Sequence, residues 1–142
     1  MTDSASSGIH HINFLVYDLD SAEQRYRNLL GLGPAIRDEL ETRHVKTARF
    51  ALGDTWLVLV QPVSDEGEPA RHLRENGEGF FLISFAVESL DEAVARVEQS
   101  GATLSSAPRS GLEDWNIADI DIADTFGAQL QLTEDSNGSC KE

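Results

Sequence analysis

His11-Ile12-Asn13-Phe14-Leu15-Val16, leading into Leu19-Asp20-Ser21-Ala22, returns later in the chain as Leu82-Ile83-Ser84-Phe85-Ala86-Val87, leading into Leu90-Asp91-Glu92-Ala93. The offset is constant at 71 residues, 82 minus 11. A repeat of that period means two copies of one supersecondary unit that share a core. In each copy an apolar, β-branched and aromatic run reads as a strand, and the Leu-Asp-x-Ala that follows reads as the opening of a helix. The copies differ at their first position, where a histidine stands in one and a leucine in the other.

Working outward, Ile9 to Val16 is a predicted strand, and Asp20 or Ser21 is positioned to cap a helix that runs to about Leu30 with Ala22, Tyr26, Leu29 and Leu30 at helical spacing. Gly31-Leu32-Gly33-Pro34 stops it. Residues 35–40, 46–52 and 55–61 form a predicted meander, with Gly53-Asp54 as the hairpin turn. The polar stretch 62–79 joins the halves and contains a short helix over 70–75. The second half repeats the order: strand 80–87, helix 90–99 stopped at Gly101, strand 102–105, strand 115–122, turn 124–127, strand 128–133, and a flexible tail from Asp135. The expected fold is α+β, a single domain of two βαβββ modules at about 8–62 and 80–134 forming a cupped, open sheet of mixed or antiparallel strands.

At 142 residues the chain fits one domain. Twenty-five acidic against 11 basic residues give a net charge of -14, which excludes nucleic acid and anionic membrane surfaces as partners, because both reward basic patches. No apolar run approaches the ~20 residues that span a bilayer, and the first eight residues lack the basic-then-apolar order of a secretory signal, so a cytoplasmic protein is expected. The one cysteine, Cys140, offers neither an internal disulfide nor a cysteine metal site.

The phrases His10-His11-Ile12, Asp20-Ser21-Ala22, Gly53-Asp54-Thr55, Gln61-Pro62, the run from Pro69 through Gly77-Glu78-Gly79, and Asp124-Thr125-Phe126-Gly127 occur in that order. On them, residues of about 8 to 134 resemble the vicinal oxygen chelate superfamily of glyoxalases, bleomycin-resistance proteins and extradiol dioxygenases, and within it the methylmalonyl-CoA epimerases. The resemblance implies a cup around a divalent metal that polarises two substrate oxygens while a carboxylate moves a proton. It places the four metal positions at His11, Val58, Leu82 and Gln131, of which only the first is a usual ligand. Val and Leu carry no lone pair and a neutral amide is a weak donor, so a divalent metal is not expected, nor any other cofactor. His10 adds nothing, because neighbours on a regular strand face opposite ways.

The resemblance puts the proton-moving carboxylate at Thr42, one residue after Glu41, so Glu41 takes the role if a loop or bulge intervenes. His11, Gln131 and Glu41 are thus the catalytic candidates. Trp56, Val58, Leu82, Trp115 and Asp114 are the candidate substrate wall and rim, and Arg71, His72 and Arg74 could meet phosphates. The expected partners are a small molecule in the cup and a second copy of the chain in a homodimer. Three functions follow: a metal-independent epimerase-like enzyme acting by proton transfer, isomerisation or ring chemistry on a small carboxylate, thioester or polyketide-like substrate; a non-catalytic small-molecule or drug-sequestering protein; and an epimerase-like metal enzyme.

Overall fold

The computed structural model describes residues 6–136. The expected α+β architecture is present, with eight strands and three α-helices among the described residues, in the order of two βαβββ modules. The first module holds β1 (Gly8–Leu15), α1 (Leu19–Leu30), β2 (Ile36–Leu40), β3 (Val45–Leu52) and β4 (Thr55–Pro62). Helix α2 (Glu68–Asn76) follows, and the second module holds β5 (Gly79–Ala86), α3 (Leu90–Gln99), β6 (Arg109–Ser110), β7 (Trp115–Asp119) and β8 (Leu130–Asp135). Among the described residues no helix is long and apolar enough to cross a membrane.

Two compact units result, and their limits differ from those of the repeat. One runs from Ile12 to Phe81; the other joins the residues up to His11 with those from Leu82 onward. The opening residues of β1, through His11, thus belong with the second copy of the repeat.

In the Ile12–Phe81 unit, β3 pairs antiparallel with both β2 and β4, and the Val16 amide donates to the Val60 carbonyl. Alternation on β3 and β4 sends Ala48, Phe50, Leu57 and Leu59 to the face covered by α1, where they pack with Val16, Leu19, Ala22 and Tyr26. Each such large side chain contributes about 1.5–3 kcal/mol on burial. Helix α1 is capped by Asp18, whose carboxylate accepts from the Asp20 and Ser21 amides, two or three positions before the expected cap; Gly31 ends it at φ 67. Leu29 and Leu30, expected on the inner stripe, stand exposed. The opposite face of this sheet carries Thr47, Arg49, Trp56 and Val58.

In the other unit, β8 runs parallel to β5 and antiparallel to β7, which pairs with β6. Helix α3 is capped by Ser89, whose hydroxyl accepts from the Glu92 amide, and it covers Ala118 and Leu132 with Leu90 and Ala93. Gln131 and Thr133 therefore face away from α3. The strand expected at 102–105 is only an isolated bridge, Leu104 to Ile120, since Ala102 and Thr103 are drawn into the helix end and the Asp124 carboxylate instead of a ladder. Strand β7 stops at Asp119, short of Ile122, which opens a 3-10 turn. Strand β8 reaches Asp135, where the tail was expected to begin; the remaining tail positions from 137, Cys140 included, lie outside the described residues.

Between β5 and β8 the Ser84 and Thr133 hydroxyls form a buried hydrogen bond of 2.6 Å. Removing one partner leaves the other buried and unsatisfied, at a cost of about 1–3 kcal/mol. Chemical denaturation of Ser84→Ala, Thr133→Val and the double variant is expected to show each single change destabilising by that order and the double change costing clearly less than their sum. Additive losses would mean the two hydroxyls act independently.

Candidate functional site

The site is built by four elements of the unit that contains both chain ends. Strand β1 enters with His10 and His11; β8 supplies Gln131 and Asp135; β7 supplies Trp115 and Asp119; β6 supplies Arg109. Register explains the grouping, because Asp119 stands opposite Gln131 and Trp115 opposite Asp135. Residues directly across an antiparallel pair share a face, so the aromatic ring, the amide and both carboxylates come to one side of the sheet.

His10 and His11 are both 2% exposed. Their Nδ1 atoms are 2.9 Å apart, one hydrogen-bond length, and the other nitrogen of His10 lies 2.8 Å from the Asp135 Oδ2. The rule that strand neighbours face opposite ways fails here. The two rings turn toward each other around Trp115, which stacks on His11 at 4.9 Å and 16° and meets His10 edge-on at 4.5 Å. Gln131 donates from its Nε2 to the Asp119 Oδ1 at 2.9 Å, and Arg109 pairs with the other oxygen of the same carboxylate. The Gln131 Oε1 is buried with no hydrogen-bond partner, while the Gln131 side chain favours the protonated form of His11.

The electrostatics follow from burial. Complete desolvation pushes the His11 pKa down to about 3, His10 pushes in the same direction, and the Gln131 side chain opposes them. His11 is a neutral imidazole at physiological pH, able to donate or accept a hydrogen bond but too weakly basic to hold an abstracted proton.

Of the expected residues, the structure brings together His11, Gln131 and Trp115. Leu82 is buried on β5 of the same unit. Asp114 is exposed beside Glu113, whose φ of 50 lies in the left-handed region. Glu41, Trp56 and Val58 belong to the other unit. There Val58 is buried opposite Arg49, and the Arg49 guanidinium lies 4.8 Å over the Trp56 ring while pairing with Asp38. Glu41 is exposed on a 3-10 turn, Glu41–Arg43, that interrupts the passage from β2 to β3, which is the intervening loop its candidacy required. Arg71 pairs with Glu68 and Glu75 on the surface of α2, and Arg74 donates to the Asp65 carbonyl.

Sequence reasoning passed over Asp119, Asp135 and Arg109, and set His10 aside. The available signals were the His-His doublet and the alternation Trp115, Ile117, Asp119. A cleft of about 400 Å³ is lined by Leu90, Asp91, Pro108, Arg109, Ser110, Asn116 and Glu134, and shares only Arg109 with the cluster.

The four positions at which the resemblance would place a metal do not fit one. Val58 and Leu82 have no donor atom, the Gln131 amide nitrogen is engaged by Asp119, and His11 Nδ1 is engaged by His10. Among the described residues no group of three or more His, Cys, Asp or Glu side chains is arranged to hold a metal ion.

Comparison with known proteins agrees with this architecture. The family profile described as the glyoxalase/bleomycin resistance protein/dioxygenase superfamily matches residues 10–118. YqjC of Bacillus subtilis is 28% identical over 127 residues, 89% of this chain and 91% of that protein. An ethylmalonyl-CoA/methylmalonyl-CoA epimerase of Cereibacter sphaeroides is 25% identical over 129 residues, 89% of this chain and 96% of that protein. The structure of a Streptomyces coelicolor methylmalonyl-CoA epimerase variant in complex with 2-nitronate-propionyl-CoA superposes with a TM-score of 0.87 at 24% identity, covering 93% of this chain and 99% of that one. With its duplicated βαβββ order and a profile match over most of its length, the chain belongs to the glyoxalase/bleomycin resistance protein/dioxygenase superfamily.

Proposed function

We propose that this protein is an epimerase-like enzyme that acts without a divalent metal on a small carbonyl compound, a carboxylate, thioester or polyketide-like molecule. The observation that carries the reading is the neutral His11 imidazole, held in a dry environment between Trp115 and His10 with the Gln131 amide beside it. A neutral imidazole with a depressed pKa can polarise a carbonyl oxygen by donating a hydrogen bond, which is the service the resemblance assigns to the metal. In this reading the C–H bond next to the carbonyl breaks, its proton passes to a carboxylate base, and its electron pair moves onto the oxygen that His11 holds. Delivery of a proton from solvent to the opposite face, with the base giving its own proton back to solvent, completes an epimerisation. Likeness to an epimerase that covers 96% of that protein, and to a fold that accepts a propionyl-CoA analogue, supports acyl thioesters as the first substrates to test. A homodimer belongs to the same reading.

A non-catalytic binder is the second reading. It is favoured by the engagement of Asp119 and Asp135, the carboxylates near His11, in hydrogen bonds within the cluster.

Elemental analysis of protein purified without chelator is expected to find no stoichiometric divalent metal; an ion at one per chain that is lost in His11→Ala would overturn the metal-independent reading. Thermal-shift measurements with acyl-CoA thioesters should stabilise the wild type by about 2.7 kcal/mol at 100-fold the dissociation constant. If the chain is an enzyme, solvent deuterium should enter the position next to the carbonyl of the bound thioester, and His11→Phe should slow that exchange by about 10²–10³. Binding with no exchange in the wild type would select the binder. Stability should also respond to pH: His11 drops from 6.5 unfolded to about 3 folded, so the unfolded chain binds more protons in between. Stability contributed by His11 is therefore complete above pH 6.5 and is lost as pH falls toward 3, with a slope of up to about 1.4 kcal/mol per pH unit that His11→Phe removes.

A further inference from the structure

On the Ile12–Phe81 unit, β3 carries Thr47 and Arg49 on the face turned away from α1, and the register fixes what each meets there. Thr47 stands opposite Asp38 on β2 and Val60 on β4, while Arg49 stands opposite Ile36 and Val58. Directly opposed residues share a face with Cβ atoms about 4.5–5.5 Å apart, and diagonal neighbours come within reach of long side chains. Asp38 takes the diagonal: its Oδ2 accepts from the Arg49 Nη1. The Arg49 side chain is only 2% exposed, and its guanidinium lies 4.8 Å from the centre of the Trp56 ring, so a buried cation is held by a carboxylate and an indole face. The Asp38 side chain, in contrast, is 35% exposed. In turning to Arg49 it leaves behind the hydroxyl directly across from it. Thr47 Oγ1 is buried with no hydrogen-bond partner, and the valine on its other side has none to offer. An orphaned buried hydroxyl is rare in a native fold and calls for a partner.

We propose that Arg49 and Thr47 form a binding site for the carboxylate of a small organic acid, and that the Asp38 side chain occupies this site when the acid is absent. A carboxylate has two oxygens, so a bound acid accepts from the Arg49 guanidinium with one and from the Thr47 hydroxyl with the other, making the bond that Asp38, tied to its own strand, does not make. Exchange costs little, because one carboxylate replaces another on the buried cation and the displaced one, already partly exposed, moves into water. A neutral amide or alcohol cannot take its place, since the departure of Asp38 would leave the guanidinium buried without an anion. On β4 this face carries Trp56, Val58 and Val60, which suits an acid whose body beside the carboxylate is apolar. The site goes beyond the reading of the His11 cluster: it lies wholly in the other unit and uses none of the cluster's residues.

The test is titration of ¹⁵N-labelled protein with propionate, inorganic phosphate and the uncharged propionamide at constant ionic strength, following the Arg49 Nε–H resonance, which is assigned by its loss in Arg49→Lys. Propionate is expected to shift that resonance saturably and propionamide to leave it in place. Thr47→Val, which keeps the shape and removes the hydroxyl, is expected to weaken propionate about tenfold. Asp38→Asn removes the resident anion at nearly constant size, and is expected to tighten propionate about tenfold. That variant is destabilised by its unpaired cation, and propionate, but not propionamide, is expected to recover the loss. If Asp38→Asn does not fold, the wild type and Thr47→Val decide. A resonance that stays fixed in propionate overturns the proposal and leaves Arg49 and Asp38 as a structural ion pair. Tighter binding of phosphate than of propionate overturns it as well, as does propionate binding that Thr47→Val leaves unchanged. Binding is read without turnover and on a unit that lacks His11, so failure here is separable from failure of the proposed function.

Discussion

The site depends on one hydrogen bond made where water cannot reach, between the imidazoles of His10 and His11. Two titratable rings removed from solvent side by side must share their protons in a way the surroundings can bear, and the surroundings are arranged for that. A carboxylate stands at the far side of one ring, an amide at the far side of the other, and an indole covers both. The low dielectric that makes each of these contacts strong also makes a missing one costly. The strands that deliver Asp135, Gln131 and Trp115 are thereby committed to a single register, since a shift of one residue would turn all three away from the histidines.

The superfamily's architecture is retained in this chain around a donor set that differs from the one the resemblance implies. An apolar residue stands at Leu82 in the second copy of the repeat where the first has His11, and an amide stands at Gln131 with its nitrogen committed to Asp119. Both differences remove anionic or lone-pair donors. A site without such donors can still stabilise negative charge on an oxygen, provided it presents polarised N–H groups in a dry setting. His11 and Gln131 are residue types suited to that, and Arg109 behind Asp119 keeps the carboxylate that orients the amide from standing as an isolated buried charge.

Much of this is legible in the sequence. The repeat carries the order of elements, and alternation in Leu130-Gln131-Leu132 separates the amide from the helix-covered face. Helix α3 is readable to the residue because its opening, stripe and stop agree, whereas α1 is read with the wrong cap because Asp18, Asp20 and Ser21 all satisfy the same local rule. The His-His contact is not legible. Strand periodicity describes a regular pleat, and nothing in the neighbouring sequence announces that an indole more than 100 residues away will draw both rings to one place. Asp135 is hidden for a related reason: a polar residue near the chain end reads as tail until its cross-strand partner, Trp115, is known.

The separation of contacting residues along the chain has a consequence for biosynthesis. His10 and Asp135 are 125 positions apart, and the unit that contains them is closed only when the last strand is present. The segment from Ile12 to Phe81 contains its own helix-covered meander and can condense on the ribosome while translation continues. The histidines must stay uncommitted until the strand that carries Asp135 has been made, and a product cut short before that strand would have the helix-covered meander with no organised chemistry.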